Sequence, residues 1–429
     1  CVKKGNEKDE YIITFEREGR MQMPIDFTVI DKNDSAHSFH IPNNWFIKKT
    51  TATVLPKWIG WDKVNPSYEA KVIIPARIKN VMIDTTLRLA DINMLNNSQK
   101  FPFSVEFDSK IHNTPDWTKY ELFARPDVLY NSYDGLKFGI HLNGSYMKRF
   151  DMFDANFWIN SELAQAKFDS TVRINQNDGL SWRINYHTPY DDIVEGSSFY
   201  CSLKHLDGLD SYLVGIDREN KSKSDRVYVF FKSMIRKDSV DLIYLIHPDE
   251  WNVNQLNNSF TLGVEHKYAY KMGTGNINLS LRSSTLMSDY HYATINLTVV
   301  NKNLLGKYFN LNTRTIAQFG TGTNSPGESS LYLAGANPEE MMDSKYNRSI
   351  GVFPQEWGGF GSSTNYFHAG GGLNLRGYSG YLAPQEDAAG NIRFTYKGNA
   401  GAALNAELEF DAALKKILPK IRGKMADKI

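Results

Sequence analysis

Residues that could do chemistry are few in this sequence, and they are poorly grouped. His37 and His40 stand three apart, but on a strand-like segment with no third ligand nearby, so both are expected at the surface. Glu339 and Glu340, inside Pro338 to Met342, read as a solvated turn. The two cysteines, Cys1 and Cys201, are too few for a disulfide framework or a thiolate metal site. No His-Glu-x-x-His helix, Ser/His/Asp arrangement in motif context, phosphate-cradling glycine loop or calcium loop occurs. The expected list of catalytic and metal-binding residues is therefore empty. One cation stands out: Arg376, in Gly370-Gly371-Gly372-Leu373-Asn374-Leu375-Arg376-Gly377-Tyr378. Glycines let a backbone turn tightly, and a guanidinium held away from water must find a carboxylate.

The elements that would position Arg376 are strands. From Glu121 onward the sequence alternates persistently, in segments about as long as the 9 to 11 residues that cross a bilayer at a barrel tilt. Leu136, Phe138, Ile140 and Leu142 alternate with Lys137, Gly139, His141 and Asn143. Phe153, Ala155, Phe157 and Ile159 alternate with Asp154, Asn156, Trp158 and Asn160. A hairpin is expected from Lys167 to His187, turning at Asp178-Gly179. Ile277, Leu279 and Leu281 oppose Asn276, Asn278, Ser280 and Arg282, and Ala293, Ile295, Leu297 and Val299 oppose Tyr292, Thr294, Asn296 and Thr298. A soluble sandwich or propeller also alternates. Here one face is rich in aromatic and branched residues without charge, and the other carries Lys, Arg, Asp and Asn in strand after strand. Lipid outside and water inside would produce that division.

Composition fits. With 49 basic and 48 acidic side chains the chain has no nucleic-acid footprint. No apolar run reaches the ~18 to 20 residues of a transmembrane helix. The mean hydropathy of −0.44 excludes nothing, since a barrel needs apolar residues only at alternate positions. Aromatic residues make up 13% of the chain, as aromatic girdles would require.

Before the barrel pattern, residues 11 to 97 hold short strand-like pieces: Tyr11 to Phe15, Ile25 to Ile30, Ser38 to Ile41, Tyr68 to Ile74 and Val81 to Ile83. Trp58, Trp61 and Tyr68 are expected as core or interface aromatics. The organisation expected is an all-β one: a small β-sandwich-like module over 1–97, a linker over 98–117, and a transmembrane antiparallel β-barrel over 118–429 of roughly 12 to 16 strands. After Phe319 a stretch rich in Gly, Ser, Asn and Pro, about 321–398, forms a long inward-folded loop, and alternation resumes over Ala402 to Asp411.

The Gly370 to Tyr378 run, with Gly398 and the Asn405-Ala406-Glu407-Leu408 strand, resembles the sixth extracellular loop and the following strand of the Omp85 superfamily. Tyr130 to Leu136 resembles the first hairpin of such barrels. The resemblance implies that the loop tip Arg376, Gly377 and Tyr378 folds into the lumen and pairs with an acid, for which Glu407, Glu409 and Asp411 are candidates. A second resemblance covers residues 8 to 97. Phe15 to Asp26, Trp61 with Asn65 to Tyr68, Ile83-Asp84 and Arg88 to Asn93 are similar to the β-rich segment behind the catalytic domain of M1-type (gluzincin) zinc aminopeptidases. Cys1 has two readings, a lipid-modified N-terminus or the cut end of a longer chain, and the second resemblance favours the cut.

Together these resemblances imply an outer-membrane Omp85-like barrel of a Gram-negative bacterium. It would anchor a periplasmic peptidase-like module and take part in outer-membrane protein assembly or processing. The alternative is a passive channel or structural barrel with a plugging loop. The expected partners are outer-membrane lipid and other outer-membrane assembly proteins, not nucleic acid. No cofactor is expected in this chain, and zinc would belong to a catalytic domain ahead of it if one is present. Whether the protein is an enzyme stays open, because the full-length protein would be an M1-like metallopeptidase only if that domain is present.

Overall fold

The computed structural model describes residues 1–45, 48–109, 114–131, 134–164, 179–191, 194–237, 250–343, 370–375, 383–386 and 388–410. Two compact units emerge: Cys1–Phe123 with Gly144–Lys148, and Ala124–Asn143 with Arg149–Ile429.

The first unit holds β1 (Val2–Lys4), β2 (Glu10–Glu16), β3 (Ile25–Asp31), β4 (Ala36–Ile41), β5 (Thr53–Val54), β6 (Ser67–Ile73) and β7 (Ile78–Ile83). They form two sheets, ordered β1-β2-β6 and β5-β4-β3-β7. Alternate residues of both sheets meet in one core: Ile13, Phe15, Ala70 and Val72 from the first, and Phe27, Val29, Phe39, Ile41 and Val81 from the second. Phe27 is central, its ring 4.8 Å from Phe15 and 5.0 Å from Phe39. This is the sandwich that the alternating pieces call for. Trp58 is buried in it and donates its indole N–H to the Asn65 carbonyl at 2.9 Å, with Tyr68 stacked alongside. Trp61, by contrast, is exposed and takes no part in that core.

A 13-stranded sheet accounts for most of the remaining chain. Its strands are β8 (Phe103–Phe107), β9 (Tyr120–Asn131), β10 (Gly135–Tyr146), β11 (Phe150–Asn160), β12 (Leu180–Pro189), β13 (Ser197–Leu206), β14 (Leu209–Glu219), β15 (Asp225–Arg236), β16 (Leu256–Tyr270), β17 (Gly273–Ser284), β18 (His291–Leu304) and β19 (Asn310–Asn324), followed by β24 (Ala400–Glu409). Each strand pairs with its chain neighbour, and β24 joins β19 after the long connection. From β11 on, every pairing in this sheet is antiparallel. This is the up-and-down order of an antiparallel barrel. The strands from β9 on are 10 to 15 residues long, enough to cross a bilayer when tilted. β8 and β24 stand at the two ends of the order, so the sheet is not closed on itself among the described residues. No helix among them is long and apolar enough to cross a membrane.

Three local differences from the sequence reading have simple causes. The stretch expected to link two regions contains β8, where Phe103, Val105 and Phe107 alternate with Ser104 and Glu106. β19 runs to Asn324, past the point where glycines suggested a loop, because Gly320 pairs with Thr294 of β18 and Gly322, at φ +148, pairs with Tyr292 beside a register shift. Inside the long connection lie β20 (Leu331–Tyr332), α1 (Pro338–Met341), β21 (Ala383–Glu386), β22 (Ile392–Thr395) and β23 (Lys397–Gly398). β20 pairs with β23, and β21 with β22. The first strand of the expected hairpin over Lys167 to His187 lies outside the described residues.

Candidate functional site

The large sheet is two-faced. Phe138, Ile140, Val214, Ile216, Phe260, Leu262, Val264, Ile277, Leu279, Leu281, Ile295, Phe319, Leu404 and Leu408 are all exposed, on strand after strand from β10 to β24. Their strand neighbours turn to the opposite face and build polar networks. Lys137, fully buried, is paired with Asp134 and with Asp207 at 3.0 Å, and donates to Ser181 at 3.1 Å. Asp154 accepts from Arg183 at 2.9 Å and pairs with His141 at 2.7 Å. Tyr228 donates to Asn278 at 3.0 Å. Burying a charge without a partner costs several kcal/mol, roughly, so this pairing explains how the polar face tolerates its charges.

A segment of the long connection lies against that face, and α1 is its firmest part. Asn337 caps the single turn: its side chain accepts from the Glu340 N–H at 2.9 Å, while the Glu340 carboxylate accepts from the Asn337 N–H at 3.0 Å. This capping box, with Pro338 at the first helical position, fixes the turn. Glu339 is thereby delivered to the wall, where it accepts from Lys232 of β15 at 2.6 Å, from Arg282 of β17 at 2.8 Å, and from Ser329. Ser259 of β16 accepts from the Arg282 Nε at 3.0 Å. The expectation of a solvated Glu339-Glu340 turn is therefore wrong for Glu339, which is buried and ion-paired, and Glu340 serves the cap.

Further contacts hold the segment. Glu328 accepts from Asn257 of β16 at 2.8 Å. Met342 enters an apolar cluster with Leu206, Leu209, Met234 and Trp251, beside Arg236, which lies 4.3 Å over the Trp251 ring. Glu250 takes Tyr396 and Lys397. Arg314 of β19 donates to the Gly372 carbonyl at 3.0 Å, and Asn405 of β24 to those of Leu373 and Asn374 at 3.4 and 3.3 Å. Gly371 and Gly372 are needed here: a Cβ on Gly371 would fall 2.5 Å from the Ala336 Cα, and Gly372 has φ +47 with the Tyr332 carbonyl 2.4 Å from where its Cβ would be.

Of the expected site residues, Arg376, Gly377, Tyr378 and Asp411 lie outside the described residues. Glu409 accepts from Lys302 at 2.9 Å and Asn312 at 3.3 Å. Glu407 is exposed on β24. The structure thus brings the run before Arg376 onto β19 and β24, while the pairing of Arg376 itself lies beyond the described residues.

The histidines correct a further expectation. His40 is buried, not superficial, and its Nδ1 lies 2.7 Å from Asp26 Oδ1, while His37 meets the buried Asp31 at 3.1 Å. Burial opposes the charge on Asp26, but hydrogen bonds from Lys48 and His40 outweigh it and hold the carboxyl below its ordinary range. The hydrogen bond from His37 likewise holds Asp31 low. Among the described residues no group of three or more His, Cys, Asp or Glu side chains could hold a metal ion. The arrangement binds and orients chain segments.

No family model and no curated protein matches the sequence. Among solved structures, CdiB from Escherichia coli is similar with a TM-score of 0.37 and 12% identity, over 69% of this chain and 48% of that one. The chain thus spans about half the length of that structure. A likeness of this size carries no argument about function.

Proposed function

We propose that the chain is an outer-membrane β-barrel of Omp85 type that anchors a periplasmic peptidase-like module and takes part in outer-membrane protein assembly or processing. The observation that carries the membrane part is the exposed apolar face running from β10 to β24, opposite a face of paired charges. On a protein surrounded by water so large an apolar surface would be an aggregation liability, whereas lipid is its natural solvent. The assembly role and the peptidase-like character of the first unit are supported by the sequence motifs alone. In this reading the tip residue Arg376 enters the interior and pairs with Glu407, which lies on β24 two residues beyond Asn405, the residue that holds the run leading to the tip. Outer-membrane lipid and other assembly proteins are its partners.

A passive channel is the second reading, favoured by the segment seated on the polar face through Glu339. Ion conduction by the purified protein, without copurifying assembly proteins, would select it. The membrane reading is tested by spin labels in reconstituted protein. Labels at Phe138, Ile140, Leu279 and Ile295 should contact lipid, and a label at Asn278 should not. The reverse pattern would end the barrel reading.

A further inference from the structure

Glu339 is held like a ligand. Its carboxylate comes from one turn of chain in a long connection, and the groups that receive it come from the wall: Lys232 Nζ at 2.6 Å and Arg282 Nη1 at 2.8 Å, with Ser259 holding the guanidinium by its Nε at 3.0 Å. These three residues lie on the adjacent strands β15, β16 and β17, where Lys232 stands directly opposite Ser259 and Arg282 opposite Thr261. The seat is therefore built by the sheet, whatever occupies it. It is also not saturated, since among the described residues the buried Arg282 Nη2 has no hydrogen-bond partner. A guanidinium binds a carboxylate best through two parallel N–H donors, and Glu339 uses one.

We propose that Lys232, Arg282 and Ser259 form a carboxylate-binding seat, filled in cis by Glu339, for which an acidic peptide competes. The ligand class follows from the occupant: a side-chain carboxylate on an exchangeable stretch of peptide. Without Glu339, Lys232 and Arg282 both lose the carboxylate to which they donate. An incoming peptide carboxylate restores the balance and, by using the spare Arg282 donor, gains a contact that Glu339 lacks. Releasing Glu339 also loosens Met342 from its apolar cluster only three residues away, so occupation of the seat and docking of the connection are linked. The inference rests on reading this face as the water-filled interior of a barrel.

The test uses the full chain in detergent, so that it does not depend on lipid. Hydrogen exchange is followed in residues 331 to 342 of wild type and of Glu339→Gln. Loss of the ion pairs should speed exchange there on the order of a hundredfold, as breaking a buried pair does, with β15 to β17 unchanged. A synthetic peptide with the sequence of residues 335 to 343 should bind Glu339→Gln at least about tenfold more tightly than wild type, a difference of roughly 1.4 kcal/mol, and its all-Gln counterpart should not. Lys232→Gln should loosen the same residues, and the double variant should be no looser than either single one. That readout also serves if Glu339→Gln folds poorly. Unchanged exchange in both single variants, additive effects, or equal binding of the acidic and Gln peptides would overturn the seat. Spin labels that place the apolar face in water would instead remove the barrel reading and leave the exchange result standing.

Discussion

The two units use the same alternation and bury opposite halves of it. In the first unit, Phe15, Phe27, Val29, Phe39 and Val72 point into a shared core between two sheets. In the second, Ile216, Leu262, Leu279 and Leu404 point outward and are exposed, and the inward positions are Lys137, Asp154, Arg282 and Asn405. A period of two therefore specifies a strand with two chemically distinct faces, but not which of them is covered by protein. That is settled by what meets the apolar face. The two-sheet module supplies a second sheet, and the 13-stranded sheet leaves the surface open to its surroundings.

The comparison breaks most readily at Phe27. Phe27→Ala removes a ring buried against Phe15 and Phe39, and should destabilise the first unit by about 3 to 5 kcal/mol. Leu279→Ala, of the same chemical kind but on the exposed face, should change detergent-solubilised stability by under about 0.5 kcal/mol. Denaturant unfolding of the two variants measures both. Comparable losses would show that the faces are not solvated differently.

The charged interior is probed next. Arg376→Ala and Glu407→Gln should each lower stability by about 1.5 to 3 kcal/mol, the range for a hydrogen bond to a charged group, and together by little more than either alone. Additive losses, or none, would separate the two residues and remove the proposed lumenal pair.

The smallest effect belongs to the first unit and depends on acid. The Asp26 carboxyl has a folded pKa below its unfolded value of about 3.9. Its contribution is therefore complete above that value, and is lost as the pH falls through the folded pKa. For a carboxylate this exposed it should stay under about 1 kcal/mol. Asp26→Asn should flatten that part of the acid-unfolding curve. A wild-type curve unchanged by the substitution would show that the Lys48 and His40 contacts do not outlast folding fluctuations.

The strands were legible because each writes its own pattern. Leu279 and Asn278 declare two faces without reference to any distant residue, and the structure places them so. The seat was not legible, because Glu339 lies 107 residues from Lys232 and 57 from Arg282 and no local period connects them. One signal was available: Asn337-Pro338-Glu339-Glu340 has the capping-box form, and a capped turn is rarely a loose one. The pairing of His40 with Asp26 was recoverable too. The turn at Lys32 to Asp34 makes β3 and β4 a hairpin, and counting outward from it sets His40 directly opposite Asp26. What no counting supplies is the third group, Lys48, from beyond the hairpin.

The pairing of β24 has a consequence for the order of assembly. From β11 to β19 every pairing joins strands that follow one another along the chain, and each can zip onto the growing edge as soon as it emerges. β24 differs, since Phe319 meets Ala400 and Asn310 meets Glu409 across the whole intervening connection. Closing so large a loop carries an entropic cost that no local turn offsets, and distant pairings slow a folding reaction. The contacts from Glu339, Met342 and Gly372 to the wall shorten the free chain before β24 must find its place. Were that segment to seat first, it would act as a kinetic guide for the last described strand of the sheet.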